Sequence, residues 1–299
     1  MTYSYDNKMI YKKKSGQNKT LEALHLDTPD TEEVSAAYQH QLASTMEKFK
    51  SKTDSILEES ERPTPAKKKP TEIKKYTKKA LQNFAAHAGY LHNKTYQDEF
   101  VNFKDNNKNL APGKLFPGVE LVFPTPIEIN RPIGPWRNKH SYVIEDGFRN
   151  NMAIEYRVTN TSAFIEGLQD MYKKNGQTLH PMTQLLVEEH ISHNKNMLPT
   201  MAGIAGLHAE VQALNQVFME AGKPSDPLNP ARYAKAMLQS SIFTKRLTTK
   251  KAGQDFPACH NCSGIIQSPA NVITGTVDSA GSNFSAQVAK RHRSQSLSQ

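Results

Sequence analysis

Leu207-His208-Ala209-Glu210-Val211-Gln212-Ala213-Leu214-Asn215 and Phe256-Pro257-Ala258-Cys259-His260-Asn261-Cys262-Ser263-Gly264 decide the fold. They contain a His-x-Glu and a Cys-x-x-Cys, and the chain's only two cysteines are in the second. A catalytic zinc takes three protein ligands and keeps a fourth position for water. His208, Cys259 and Cys262 supply three, and two thiolates with one imidazole suit zinc's borderline-soft character. Bound zinc brings the pKa of its water toward neutrality. Glu210, two residues after His208, is left free to move protons.

Local geometry supports this grouping. After Gly203 and Gly206, apolar Val211, Leu214, Val217 and Phe218 recur at helical spacing and predict a helix over His208–Met219. His208 and Glu210 then lie in its first turn. Pro257 precedes the cysteines, and Cys259–Ile266 reads as the opening of another helix. The positive end of a helix favours thiolate. Two helix starts facing each other would hold one Zn2+ between them.

His-x-Glu followed downstream by Pro-Cys-x-x-Cys is the layout of the zinc deaminases, with the Glu as general acid/base. This chain departs from it. Ala258 separates Pro257 from Cys259, and the long gap after Glu210 holds a proline-rich insert, Pro224 to Pro230. Both features resemble the YwqJ-type branch of the cytidine-deaminase-like superfamily, where segments like HAEVQALN and FPACHNCSG occur. The resemblance covers roughly residues 140 to 280 and is sharp only in the two motifs. It implies an α/β, cytidine-deaminase-like fold, a mixed sheet with helices on its faces, preceded here by a largely helical or disordered N-terminal extension. It also implies a bacterial toxin domain acting on cytosine or adenine in nucleic acid, nucleoside or nucleotide. Such a protein is made in the bacterial cytoplasm, delivered into a target cell, and countered by an immunity protein.

Two other readings stay open. A Cys-x-x-Cys alone also suits a thiol–disulfide oxidoreductase, which leaves His208 and Glu210 without a role. A nucleic-acid-binding protein with a structural zinc would want a fourth strong ligand, and His260, inside the cysteine pair, is badly placed to share that metal.

Composition narrows the classes further. A hydrophobic fraction of 37% and a mean hydropathy of −0.66 imply much solvated chain. The net charge of +9 suits an anionic partner such as nucleic acid. A single cysteine pair excludes a disulfide framework. No stretch approaches the roughly 18 apolar residues of a membrane span. Met1 to Gly16 has lysines without an apolar core behind them, so it is not a secretory signal peptide.

Residues 1–75 read as a polar extension, disordered to about residue 30. A helix follows over Thr31–Glu59, with Val34, Tyr38, Leu42, Met46, Phe49 and Ile56 as its apolar stripe. That stripe packs on the rest of the protein or docks on a secretion or delivery apparatus. Arg62 to Lys75 is a Lys/Pro linker. Residues 76–135 read as a connector, helical over Tyr76–Tyr90 and then rich in Pro and Gly, with a short strand at Val119–Phe123. The deaminase domain is expected over 136–280. Its strands are read at Ser141–Ile144, Asn151–Val158, Ser241–Leu247 and Asn271–Val277. Its other helices are read at Ser162–Lys174 (capped by Thr161), Pro181–His193 and Ala231–Gln239. His180, His190 and His193 read as surface or core histidines before extra ligands. Residues 281–299 form a flexible tail, basic at Lys290, Arg291 and Arg293. Residues that bind substrate are not legible.

Overall fold

The computed structural model describes residues 31–62, 76–78, 80–81, 85–103, 110–111, 114–122, 155–248, 250–266 and 270–273. The opening 30 residues, the linker after Arg62, the strand expected at Ser141–Ile144 and the basic tail lie outside them. In chain order the elements are α1 (Thr31–Glu61), β1 (Ala86–His92), β2 (Thr95–Val101), β3 (Leu110–Ala111), β4 (Lys114–Leu115), β5 (Val119–Val122) and β6 (Glu155–Val158). They continue with α2 (Thr161–Lys174), α3 (Pro181–His193), β7 (Met197–Pro199), α4 (Ala209–Ala221), α5 (Pro230–Leu238), β8 (Ser240–Arg246), α6 (His260–Ile266) and β9 (Asn271–Val272).

The main sheet has the order β2-β1-β8-β9. β1 is antiparallel to β2 and β8, and β9 is parallel to β8, so the sheet is mixed as expected. Helices cover both its faces. On one, Ala88 and Tyr90 join the core that contains Leu214, Val217 and Phe218 of α4. On the other, Leu91 and Phe243 pack against Leu42 and Phe49 of α1. Successive residues of a strand point to opposite faces, so a middle strand covered on both sides is buried throughout, and all seven residues of β1 are.

That burial corrects only the second half of the helix predicted over Tyr76–Tyr90: Lys78, Ala80 and Leu81 are helical, with Leu81 N donating to the Thr77 carbonyl at 2.9 Å, and the chain turns to strand at Ala86. Ala88 continues the helical spacing of Leu81, Phe84 and Ala85 but lies in β1. A strand buried on both faces has no polar side and so shows no alternation of its own. The segment contributes the strand beside β8, and α4 packs directly on it.

The stripe on α1 is also accounted for. Leu42, Phe49 and Ile56 are buried, and Tyr38 and Met46 are half-buried against the sheet. Ile56 packs with Tyr76, Leu81 and Leu247. Among the described residues this stripe is spent on intramolecular packing, not held out for a carrier.

A second, antiparallel sheet has the order β5-β6-β7. Tyr156, Val158 and Leu198 send it into the main core. The cap expected of Thr161 belongs to its neighbour: Asn160 Oδ1 accepts from the Ala163 N–H at 3.0 Å. Thr161 is the first helical residue.

Candidate active site

α4 is buried on nearly every side, and its buried amides, Gln212 and Asn215, are held from outside the helix. Gln212 Nε2 donates to the Val101 carbonyl at 2.7 Å, tying α4 to the end of β2. Asn215 Oδ1 accepts from His180 N and Thr183 Oγ1, both at 2.8 Å, and its amide donates to the Thr178 carbonyl at 2.9 Å. These polar residues of the first motif therefore fix α4 in place. The helix begins one residue later than predicted, with His208 at its N-cap. Its first N–H groups lack intrahelical partners, and Asn102, just past β2, accepts from Ala209 N at 2.9 Å.

The turn before His208 is held by two buried tyrosines. Tyr156 Oη donates to the Gly203 carbonyl (3.2 Å) and accepts from Ala205 N (3.1 Å). Tyr172 Oη donates to the Gly206 carbonyl at 2.9 Å. Gly203 has φ 62° and ψ −166°, a region that essentially only glycine occupies. Any side chain here would redirect the approach to His208.

The second motif delivers its cysteines at the start of α6, which opens at His260 and has Cys262 in its first turn. His208 Nδ1 lies 3.2 Å from Cys262 Sγ and 3.2 Å from Cys259 Sγ. The three ligand atoms fall within 4.8 Å of one another. Glu210, on the same first turn as His208, is buried. Its carboxyl faces the Cys262 thiol, and its Oε2 has no hydrogen-bond partner among the described residues. All four residues singled out in the sequence are thus brought together.

Their protonation is mutually determined. Burial pushes the Glu210 carboxyl up, and the Cys259 thiolate adds to it. A hydrogen bond from Cys262 and the charge of His208 hold the Cys259 thiol well below its ordinary range. Burial and the neighbouring thiolate drive Cys262 the other way. For His208 burial opposes the charged form, but Cys259 outweighs it and the imidazole is raised to about 9. The shifts of His208 and Cys259 both favour an imidazolium beside a thiolate when no metal is bound.

The other three histidines stay out of this cluster. His180 caps α3, its Nδ1 accepting from Met182 N at 3.0 Å. His193 is exposed. His190 is buried against Asn261, Nε2 to Oδ1 at 3.2 Å.

Residues 144–271 match the family of YwqJ-like deaminases. That span therefore resembles a YwqJ-like deaminase domain. It is also 38% identical over 224 residues to "Toxin subunit YenC2" of Yersinia entomophaga, an alignment covering 71% of this chain and 21% of that relative. No solved structure matches significantly.

The fold extends outside the matched span. β1, β2 and Asn102 precede residue 144, yet they pack on and cap the helix that carries Glu210. Sequence reasoning missed Asn102, Tyr156 and Tyr172 in the support of this candidate site. Asn102 follows the apolar end of β2 with no spacing to mark it, and a buried tyrosine looks like any core aromatic. Asn261 was within sight, between the two cysteines.

Proposed function

We propose that the domain is a zinc-dependent hydrolytic deaminase acting on a nucleobase, cytosine or adenine, in nucleic acid, nucleoside or nucleotide. The observation that carries the reading is a buried carboxylate oxygen, Glu210 Oε2, with no partner among the described residues, beside three converging soft ligands. A buried polar atom without a partner is costly. Here it is explained if its partner is a water or substrate that occupies the site during turnover.

The donor set fits zinc. One imidazole nitrogen and two sulfurs are already gathered, and among the described residues no fourth side chain completes the set. A structural site would be closed by four ligands, whereas a catalytic one keeps a position open. Bound zinc supplies an acidified water at neutral pH.

The remaining chemistry falls to the chain's own residues. His208, Cys259 and Cys262 give up their protons to become ligands. Glu210 takes one proton from the attacking water at a carboxylate oxygen and gives it to the ring nitrogen, where it stays, and then carries the second proton of that oxygen to the leaving amine. The exocyclic C–N bond breaks, a C=O replaces it, and ammonia leaves. Its raised pKa suits this work, because a group that both accepts and donates does best with a pKa near the working pH. Asn102 and Gln212 hold α4, and so Glu210, to the sheet while protons move.

The effector role rests on the toxin-subunit relative, of which the chain spans 21%. We read the chain as the toxic portion of a bacterial effector delivered into another cell, with an immunity protein as its natural partner. None of the described helices is long and apolar enough to cross a membrane. The net charge of +9 favours a polyanionic substrate. The catalytic unit we propose includes β1, β2 and α1 as well as residues 136–280.

The test is ammonia release from single-stranded DNA, RNA and free nucleotides, with sequencing of the treated nucleic acids. Conversion of one base, C to U or A to inosine, is the expected result and names the substrate. Zinc-loaded protein that converts none of them refutes the reading.

A further inference from the structure

Both residues between the two cysteines point away from the ligand cluster, into a buried run of hydrogen bonds that returns to the His208 loop. Its direction is set at each link. His260 Nε2 donates to Asn194 Oδ1 at 3.2 Å. Asn194 Nδ2 donates to the His190 carbonyl at 2.8 Å and approaches His190 Nδ1 at 3.2 Å. With Nδ1 accepting, Nε2 carries the imidazole proton and donates to Asn261 Oδ1 at 3.2 Å. Asn261 Nδ2 then donates to the Gly203 carbonyl at 2.9 Å. His190, Asn194 and Asn261 are all buried.

The run therefore spans three elements that are remote in sequence. It starts on α6, passes through the last turn of α3 and ends on the loop that delivers His208. Asn261 is the joint, since its two amide atoms face α3 and the Gly203 turn at once. The motif makes space for the arrangement. A Cβ on Gly264 would lie 2.0 Å from His190 Nδ1, so only glycine lets that ring close on α6.

We propose that His190 and Asn261 are positioning residues that set the spacing between His208 and the cysteine pair, and so determine how tightly and in what geometry the three ligands hold a metal. The proposal rests on the zinc reading above. Partners that orient ligands from behind commonly govern affinity, and their loss costs about 10- to 100-fold.

The test compares wild-type protein with His190→Phe, Asn261→Leu, Gly264→Ala and His190→Gln. Zinc affinity is measured against a competing chelator, and ligand geometry by the absorption bands of the cobalt(II)-loaded protein. Circular dichroism of the metal-free forms reports folding. His190→Phe keeps the ring's bulk and removes the donor. His190→Gln retains an amide N–H that can reach Asn261 Oδ1. The expected result is zinc affinity lowered about 10- to 100-fold and displaced cobalt bands in the first three variants, with both returning toward wild type in His190→Gln. Three variants that interrupt the same run at different residues keep the test decisive if one of them fails to fold. Folded variants with wild-type affinity and wild-type cobalt bands overturn the proposal, as does a Gln variant no better than Phe. Wild-type protein that binds no zinc overturns the metal reading instead, so the two failures are distinguishable.

Discussion

Truncating Phe49 to alanine tests whether α1 is part of the catalytic unit. The side chain is fully buried, stacked on His87 at 4.6 Å and edge-on to Phe243 at 4.8 Å. Burying a Phe contributes about 1.5–3 kcal/mol by transfer alone. The cavity left in a rigid layer raises the cost of Phe→Ala to about 3–5 kcal/mol. In a domain of this size each kcal/mol moves the melting temperature by about 2–4 °C, so a drop of roughly 6–20 °C is expected. Thermal unfolding followed by circular dichroism measures it, with exposed Lys50 changed to alanine as the control. A surface change of that kind is expected to stay within about 0.5 kcal/mol. A shift in Phe49→Ala no larger than the control's would show that α1 is an appendage, and the description of a sheet covered on both faces would be wrong.

Two further predictions concern pH. In the metal-free protein His208 is raised to about 9, and zinc takes only the neutral imidazole. Apparent zinc affinity should therefore climb as pH rises through about 9, and go on climbing beyond it because the raised Cys262 thiol must also lose its proton. A chelator competition series that is flat with pH would refute that protonation scheme. Burial lowers the pKa of His87, against the Asp98 carbonyl that accepts from its Nε2. The unfolded chain then takes up the proton first as pH falls through about 6.5. This stability is present above that value and lost as pH falls toward the folded pKa. Urea unfolding at about pH 7.5 and pH 5 should show a larger loss in wild type than in His87→Asn. Equal losses would remove His87 from the account.

How much was legible in the sequence varied with how each element meets water. α2, α3 and α5 were readable because each keeps an exposed face, although the cap of α2 is Asn160 and not Thr161 and α5 opens one residue early, at Pro230. α4 is buried nearly all round, and it was recognisable mainly from its motif. β1 was misread for the opposite reason, since burial on both faces erased its period. Its better signal was the turn that follows, where Asn93 adopts φ 54° and joins β1 to β2. The candidate ligands and Glu210 could be read because metal chemistry restricts residue type and spacing together. The supporting groups could not. Asn102, Tyr156 and His190 reach the site through the tertiary fold, and local sequence carries no trace of a contact between residues 102 and 209.

The most direct measurement of the central claim is the deamination rate of Glu210→Gln beside wild type, each normalised to its zinc content. Glutamine keeps the shape and the neighbouring ligands but cannot pass a proton. The account expects about one zinc per chain in both and a loss of ammonia release of at least about 10²- to 10⁴-fold in the variant. A zinc-loaded Glu210→Gln protein that turns over at the wild-type rate would contradict it.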